Sequence, residues 1–207
     1  MSSFVNACCN TPPVTADYTP TGTAIQIGGT KIYLAGSTRS RFGIIFCYDI
    51  FGFHPNVYQY ADLLGQAGFR IAMPDFLHDR PLTVSDLGNK DVFADFLMTR
   101  AGWAVNRDVF VKTRKVLADE GIKQIGAIGF CWGAKLVMGA IGENLGISAG
   151  CLVHPSALAR TRRTFLEEFA QVKQRFEMSV RDRYEDMHHG PAQADRTVSF
   201  LAQVAGQ

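Results

Sequence analysis

Cys131 stands between two glycines, in Gly129-Phe130-Cys131-Trp132-Gly133, and a cysteine so placed suits nucleophilic chemistry. The thiolate is the reactive form, so it needs a base nearby or surroundings that lower its pKa. An apolar run at residues 124–128 precedes the stretch, and a helix-forming run at 134–141 follows it. That order of strand, sharp turn and helix is the setting of a nucleophile elbow, with cysteine where many such enzymes carry serine. The strained turn lifts the nucleophile above the sheet, and flanking glycines let neighbouring backbone come close. The helix that follows aims its N-terminal amides and positive dipole end at the site, which favours a thiolate and a developing oxyanion. A second stretch, Gly146-Ile147-Ser148-Ala149-Gly150, matches the serine form letter for letter. It precedes an apolar strand instead of following one, so Ser148 is read as a loop residue.

A thiol nucleophile asks for a base, and histidine suits the task because its ordinary pKa is near neutrality. The chain has five histidines: His54, His78, His154, His188 and His189. Where a nucleophile elbow is used the chain order is nucleophile, acid, histidine, which points to the last loop and favours His189 over His188. His154 is read as a hydrogen-bonded structural histidine at a strand end. An orienting acid should stand on a strand between the elbow and that loop. Residues 154–176 read as one connecting helix with no strand ending in Asp; the later acids are Asp182, Glu185, Asp186 and Asp195. Asp49 ends an early strand, and is either a functional acid or a turn cap. The backbone amides of Ile50 and Trp132 are placed to form an oxyanion hole. Arg80 suits a substrate carboxylate, or is simply a solvated loop arginine. Asp75, His78 and Asp79 share its loop without any recognised metal-ligand spacing, so no metal is expected. Phe51, Phe53, Phe76, Trp103 and Trp132 are the expected aromatic lining of a substrate pocket.

The elements that must position these groups alternate between strand and helix. Residues 1–22, rich in Thr, Pro, Ser and Asn, read as an irregular arm, and residues 23–207 as a single domain. Two short strands flank Gly28-Gly29, a hairpin signal. Residues 43–48 are continuously apolar, as in a strand buried on both faces of a parallel sheet. Residues 57–67 have helical spacing and stop at Gly68, and residues 103–120 form a longer helix closed by Gly121. Strands are expected at 69–73 and 150–153. Phe165, Phe169, Val172 and Phe176 mark one helix face, Phe176, Met178 and Val180 alternate as a last strand, and 192–205 read as a closing helix. Together these predict an α/β fold with a mostly parallel central sheet and helices on both faces, functional groups collecting at the strands' carboxyl ends.

The composition is that of one packed domain: 207 residues, 47% apolar and 19% charged. A formal charge of +2, from 21 basic and 19 acidic residues, gives no reason to expect nucleic acid or an anionic membrane as partner. Met1 to Asn10 lacks the pattern of a signal peptide, and no apolar run approaches the ~18 residues of a membrane span. Five cysteines, two of them (Cys47 and Cys151) in expected buried strands, fit free thiols in a reducing compartment, hence a cytoplasmic location.

The chain resembles the dienelactone hydrolase family of α/β-hydrolases. Its elbow, continued through Ala134-Lys135, is similar to that family's G-[FY]-C-[FW]-G-[AG]-[KR]. Asp49-Ile50-Phe51-Gly52 resembles the family's [DE]-x-[FY]-G, and Met73-Pro74-Asp75-Phe76 its P-D-[LF]-[FY]. His154-Pro155-Ser156, His188-His189-Gly190, Cys8-Cys9 and Pro20-Thr21-Gly22 resemble segments of its eukaryotic members. The resemblance implies the α/β-hydrolase fold, a Cys131 nucleophile, His189 as general base and acid, and no cofactor. Asp49, standing where the family often has Glu, would control the thiol's ionisation, and Arg80 falls near a substrate-binding arginine. The expected ligand is a small ester or lactone, and the expected state a monomer or weak dimer. Two departures stand out. The helix and strand that carry the family's triad Asp are lacking near residues 157–162, and His189-Gly190 meets Pro191 without the usual loop. A thiol hydrolase is therefore weighed against a catalytically impaired relative that binds small ligands or partners, with a redox-sensing thiol as a third reading.

Overall fold

The computed structural model describes residues 17–155 and the pair Val180–Arg181. The helix expected at 165–176, the closing helix, the shortened segment at 157–162 and the loop with His188 and His189 lie outside the described residues.

Among the described residues, seven strands form one sheet in the order β1-β2-β4-β3-β5-β6-β7. They are β1 (Thr23–Ile27), β2 (Thr30–Ala35), β3 (Phe42–Cys47), β4 (Arg70–Pro74), β5 (Gln124–Phe130), β6 (Gly150–Val153) and β7 (Val180–Arg181). β1 and β2 are the expected hairpin, and Gly28 and Gly29 turn it with φ of 54° and 79°, backbone that glycine adopts without strain. β2 pairs antiparallel with β4; from β4 onward every pairing is parallel. β3 lies at the centre because the chain crosses from β4 back over it to β5. That crossing is the topological switch point, where a crevice opens at the carboxyl ends of the strands. β7 pairs directly with β6, Leu152 opposite Val180.

The helices are α1 (Pro55–Gln66), α2 (Lys90–Thr99), α3 (Trp103–Asp119) and α4 (Gly133–Gly142). Pro55 opens α1 two residues earlier than the apolar spacing suggests, because its fixed φ suits a first helical turn. Gly68 (φ 103°) and Gly121 (φ 89°) close α1 and α3 as expected, and the next amides, Phe69 and Ile122, donate back to the Leu64 and Leu117 carbonyls. No sequence signal used above marked α2, of which only Phe96 is buried. Asn89 caps it, accepting from the amides of Asp91 and Val92, and a capping box at Thr83 and Asp86 starts the 3-10 turn before it. No helix among the described residues is long and apolar enough to cross a membrane.

β3, β4 and β5 form the core: Ile44, Ile45, Phe46, Ile71, Ala72, Met73, Ala127 and Ile128 are all essentially inaccessible. Arg70 at the other end of β4 is buried by a bidentate pairing with Glu120, both contacts at 2.7 Å, and donates to the Gly36 carbonyl.

The end of the arm is pinned to this core. Asp62, 2% exposed on α1, accepts from the Tyr33 hydroxyl at 2.6 Å, the Tyr18 hydroxyl at 2.7 Å and the Thr21 amide at 2.8 Å. Burial first, then Asp62, pushes the Tyr33 phenol well above its ordinary pKa, so it remains a donor. Replacing Asp62 by alanine strands three donors and is expected to cost about 3 kcal/mol. For a chain of this size that lowers Tm by about 10 °C, measured by thermal melting.

Candidate active site

Cys131 has φ of 51°, a left-handed backbone conformation that side chains adopt only under constraint. The constraint comes from both glycines. A Cβ on Gly129 would lie 2.6 Å from the backbone of Ala134, and one on Gly133 would lie 2.3 Å from the carbonyl oxygens of Cys47 and Tyr48. The turn is thus wedged between the start of α4 and the end of β3. The Cys131 amide donates to the Val153 carbonyl at 3.0 Å, which fixes the turn to β6 as well. The side chain is 8% exposed. The Trp132 amide lies at the N-cap of α4, among the first donors of a helix that have no intrahelical acceptor.

Asp49 leaves β3 at the level where Cys131 leaves β5, since Cys47 pairs with Gly129. Its Oδ1 accepts from the Phe51 amide at 2.9 Å and its carbonyl accepts from the Gly52 amide at 3.3 Å, so it does cap its own turn. Its Oδ2 faces His54 Nε2 at 3.7 Å. The spacing in sequence gave no sign of this pair; the left-handed Gly52 (φ 69°) brings His54 back. The Ile50 carbonyl accepts from the Leu82 amide at 2.9 Å, tying this turn to the loop after β4.

That loop is built around Asp75. Oδ1 accepts from the Tyr48 hydroxyl at 2.8 Å and the Leu77 amide at 3.0 Å, and Oδ2 from the Asp79 amide at 2.7 Å. The Tyr48 hydroxyl in turn accepts from the amides of Phe76 and Leu77. Burial, then Asp75, raises the Tyr48 phenol well above its usual value. Asp75 is therefore the organiser of a strained loop, with His78 and Asp79 both at positive φ, and not a free ligand. Tyr48→Phe is expected to destabilise the chain by about 1 kcal/mol, read from its urea midpoint, because the buried Asp75 carboxylate loses its hydroxyl donor while the Phe76 and Leu77 amides keep the Pro74 carbonyl and Asp75 Oδ1 as acceptors. Arg80, at the end of this loop, is exposed. Its carbonyl accepts from the guanidinium of Arg100, a buried cation lying 5.3 Å from the Phe96 ring and 3.6 Å from Asp95. No motif signalled Arg100; its burial is visible only in the fold.

The expected aromatic pocket is not assembled as a set. Phe76 and Trp132 are 0% and 1% exposed, core residues. The Trp132 indole donates to the Ala101 carbonyl at 3.0 Å and packs edge-on to Phe96. Trp103 lies across Gly139 and Phe110 and donates to Glu143. Phe51 and Phe53 stay partly buried near Asp49, with Phe53 stacked on Tyr58 at 5.4 Å. Its place beside Cys131 suggested pocket lining for Trp132, but its indole is buried against Ala101 and Phe96. His154 ends β6 at φ 38°, its ring edge-on to Phe130. Ser148 is an exposed loop residue ahead of β6, as expected. His189 lies outside the described residues.

A cysteine elbow at the switch point of a doubly covered, mostly parallel sheet defines the α/β-hydrolase class. The chain belongs to the dienelactone hydrolase family, whose model matches residues 30–197. An uncharacterized AIM2 family protein of Schizosaccharomyces pombe is 35% identical over 144 residues, 64% of this chain and 58% of that one. A carboxymethylenebutenolidase homolog of Xenopus tropicalis is 32% identical over 136 residues, 63% of this chain and 54% of that one. The chain thus spans little more than half the length of these curated relatives. Among solved structures, a dienelactone hydrolase-like promiscuous phosphotriesterase from metagenomic libraries shares the fold with a TM-score of 0.65 at 14% identity, over 89% of this chain and 98% of that one.

Proposed function

We propose that this member of a hydrolase family is a thiol-dependent hydrolase of small esters or lactones. The observation that carries the reading is the left-handed Cys131, held there by two glycines with no room for a side chain. His189 would take the thiol proton as the Cys131 sulfur attacks the carbonyl carbon, and the π electrons would move onto oxygen as an oxyanion. The amides of Ile50 and Trp132 would stabilise that charge. Collapse would expel the alkoxide, which takes a proton from His189, and leave an acyl thioester on Cys131. His189 would then draw a proton from water, whose oxygen attacks the thioester carbonyl and releases the acid and the thiol. Arg80, exposed at the rim, would meet a substrate carboxylate. The second reading, a relative that binds without turnover, is favoured by the sequence gap near residues 157–162. Mixing the purified chain with p-nitrophenyl acetate separates the two. The hydrolase gives a burst of nitrophenolate and an acetyl group mapped by mass spectrometry to Cys131. Saturable binding with no acetylation would sink the hydrolase and leave the binding protein.

A further inference from the structure

We propose that the buried Arg100-Ala101 junction braces the oxyanion hole, with Arg100 a positioning residue for its Ile50 half and Ala101 for its Trp132 half. The proposal rests on the reading of Cys131 as the nucleophile and of those two amides as the oxyanion donors. The junction links α2 to α3 and is itself held fast. The amides of Arg100 and Ala101 both donate to the Phe96 carbonyl, and the buried Asn106 donates from Nδ2 to the Arg100 and Gly102 carbonyls at 2.6 and 3.0 Å. From this fixed point two contacts reach the site. The Ala101 carbonyl accepts from the Trp132 indole at 3.0 Å, which ties down the residue after the nucleophile. The Arg100 guanidinium donates through Nη1 to the Arg80 carbonyl. Arg80, Pro81 and Leu82 then form a short strut to the other half. The rigid ring of Pro81 lies so close to Gly52 that a Cβ on that glycine would stand 3.1 Å from the proline Cβ, and the Leu82 amide donates to the Ile50 carbonyl at 2.9 Å.

The chemistry of Arg100 argues for a role beyond packing. Its side chain is 9% exposed, and its countercharge, Asp95, is 60% exposed and 3.6 Å away. Nε is buried and has no hydrogen-bond partner among the described residues. A guanidinium in that setting suffers a desolvation cost that an apolar side chain of similar bulk avoids. An apolar side chain, however, cannot hold the Arg80 carbonyl. What the arginine adds is therefore position, and the strut carries that position to the turn bearing the Ile50 amide. An oxyanion donor stabilises the developing charge only when it is already aimed at the place where the charge appears.

The test compares two reactions of Cys131, of which only one develops an oxyanion. Acylation by p-nitrophenyl acetate passes through a tetrahedral oxyanion; alkylation by iodoacetamide displaces iodide at a saturated carbon and does not. R100M keeps the bulk and removes the contact. It should lower the rate of the nitrophenolate burst about tenfold, less than the ~100-fold of losing an oxyanion donor outright. Alkylation of Cys131, followed by peptide mass spectrometry, should stay within about twofold of the parent, and Tm within a few degrees, because no buried charge is left unpaired. R100K, which keeps a donor, should recover most of the burst. P81G loosens the strut at an exposed position, and should lower the burst in the same sense with alkylation unchanged. If R100M melts far below the parent, P81G decides alone. A burst that neither variant lowers overturns the proposal. So does a fall in alkylation that matches the fall in burst, the outcome of a merely structural arginine whose loss disturbs the whole elbow. A parent chain with no burst and no acetyl group on Cys131 sinks the hydrolase reading and this proposal with it. A parent that acetylates Cys131, with R100M and P81G equally fast, sinks this proposal alone.

Discussion

Cys131→Ala abolishes ester turnover while leaving the fold in place: that is the expected result with the largest effect. Removing the attacking atom of a nucleophilic enzyme lowers kcat/KM by about 10^4-fold or more, the remainder coming from binding and oxyanion stabilisation. The substitution deletes one buried sulfur and keeps a Cβ at φ of 51°, so the strain of the turn is unchanged and Tm moves by only a few degrees. The other described thiols provide the contrast. Cys47 and Cys151 are both buried, and burial pushes the Cys47 thiol well above its ordinary pKa, which keeps it protonated and inert. Cys47→Ala should therefore retain turnover. Hydrolysis of p-nitrophenyl acetate and of a dienelactone, measured for both variants, checks this. Equal loss in the two variants would mean a damaged core and no special role for Cys131. Equal activity in Cys131→Ala and the parent would mean the scaffold has kept its elbow without its chemistry.

The features that sequence revealed are those that depend on local steric demands. Gly28-Gly29, Gly68 and Gly121 each answer a positive φ, and each sits where the pattern placed it. Residues 43–48 read as a fully buried strand because a parallel sheet covered on both faces leaves no polar side. The elbow was legible for the same reason: its glycines meet backbone on two sides, a demand that restricts residue type directly. What escaped depends on chain crossings. The helix Lys90–Thr99 fully buries only Phe96, with Val92 and Phe93 packed on the core beside it, so this short apolar face and the Asn89 cap were the only local signs of it. Asp62, read from its neighbours, is one acid on an amphipathic helix, yet it collects two tyrosines and an amide from segments about 30 to 40 residues away. Asp49 and His54 lie five positions apart in an irregular turn, where no periodicity relates them. Trp132 misled in the opposite direction, since its place beside the nucleophile says nothing about which side of the helix its indole enters.

The steric account of the elbow makes a second strong demand, this time on stability and activity together. Gly133→Ala should be among the most damaging single substitutions in the described chain. The added Cβ would fall 2.3 Å from two carbonyl oxygens, those of Cys47 and Tyr48. Both obstacles are backbone of the central strand's end, so no rotamer change can make room. The start of α4 must retreat, and overpacking of this kind costs about 3 kcal/mol. That lowers Tm by about 10 °C in a chain of this size. The retreat also carries Cys131 and the Trp132 amide away from Asp49 and Ile50, and a displacement of about 1 Å at a reacting centre costs about 100-fold in rate. Gly88→Ala is the matching control: nothing lies within 4 Å of its Cβ position and its φ is ordinary, so neither Tm nor turnover should fall. Thermal melts and ester hydrolysis on the two variants separate the readings. A Gly133→Ala chain that melts and turns over like Gly88→Ala would mean that α4 is free to shift, and that the pressure of the helix against β3 does not set the nucleophile's position.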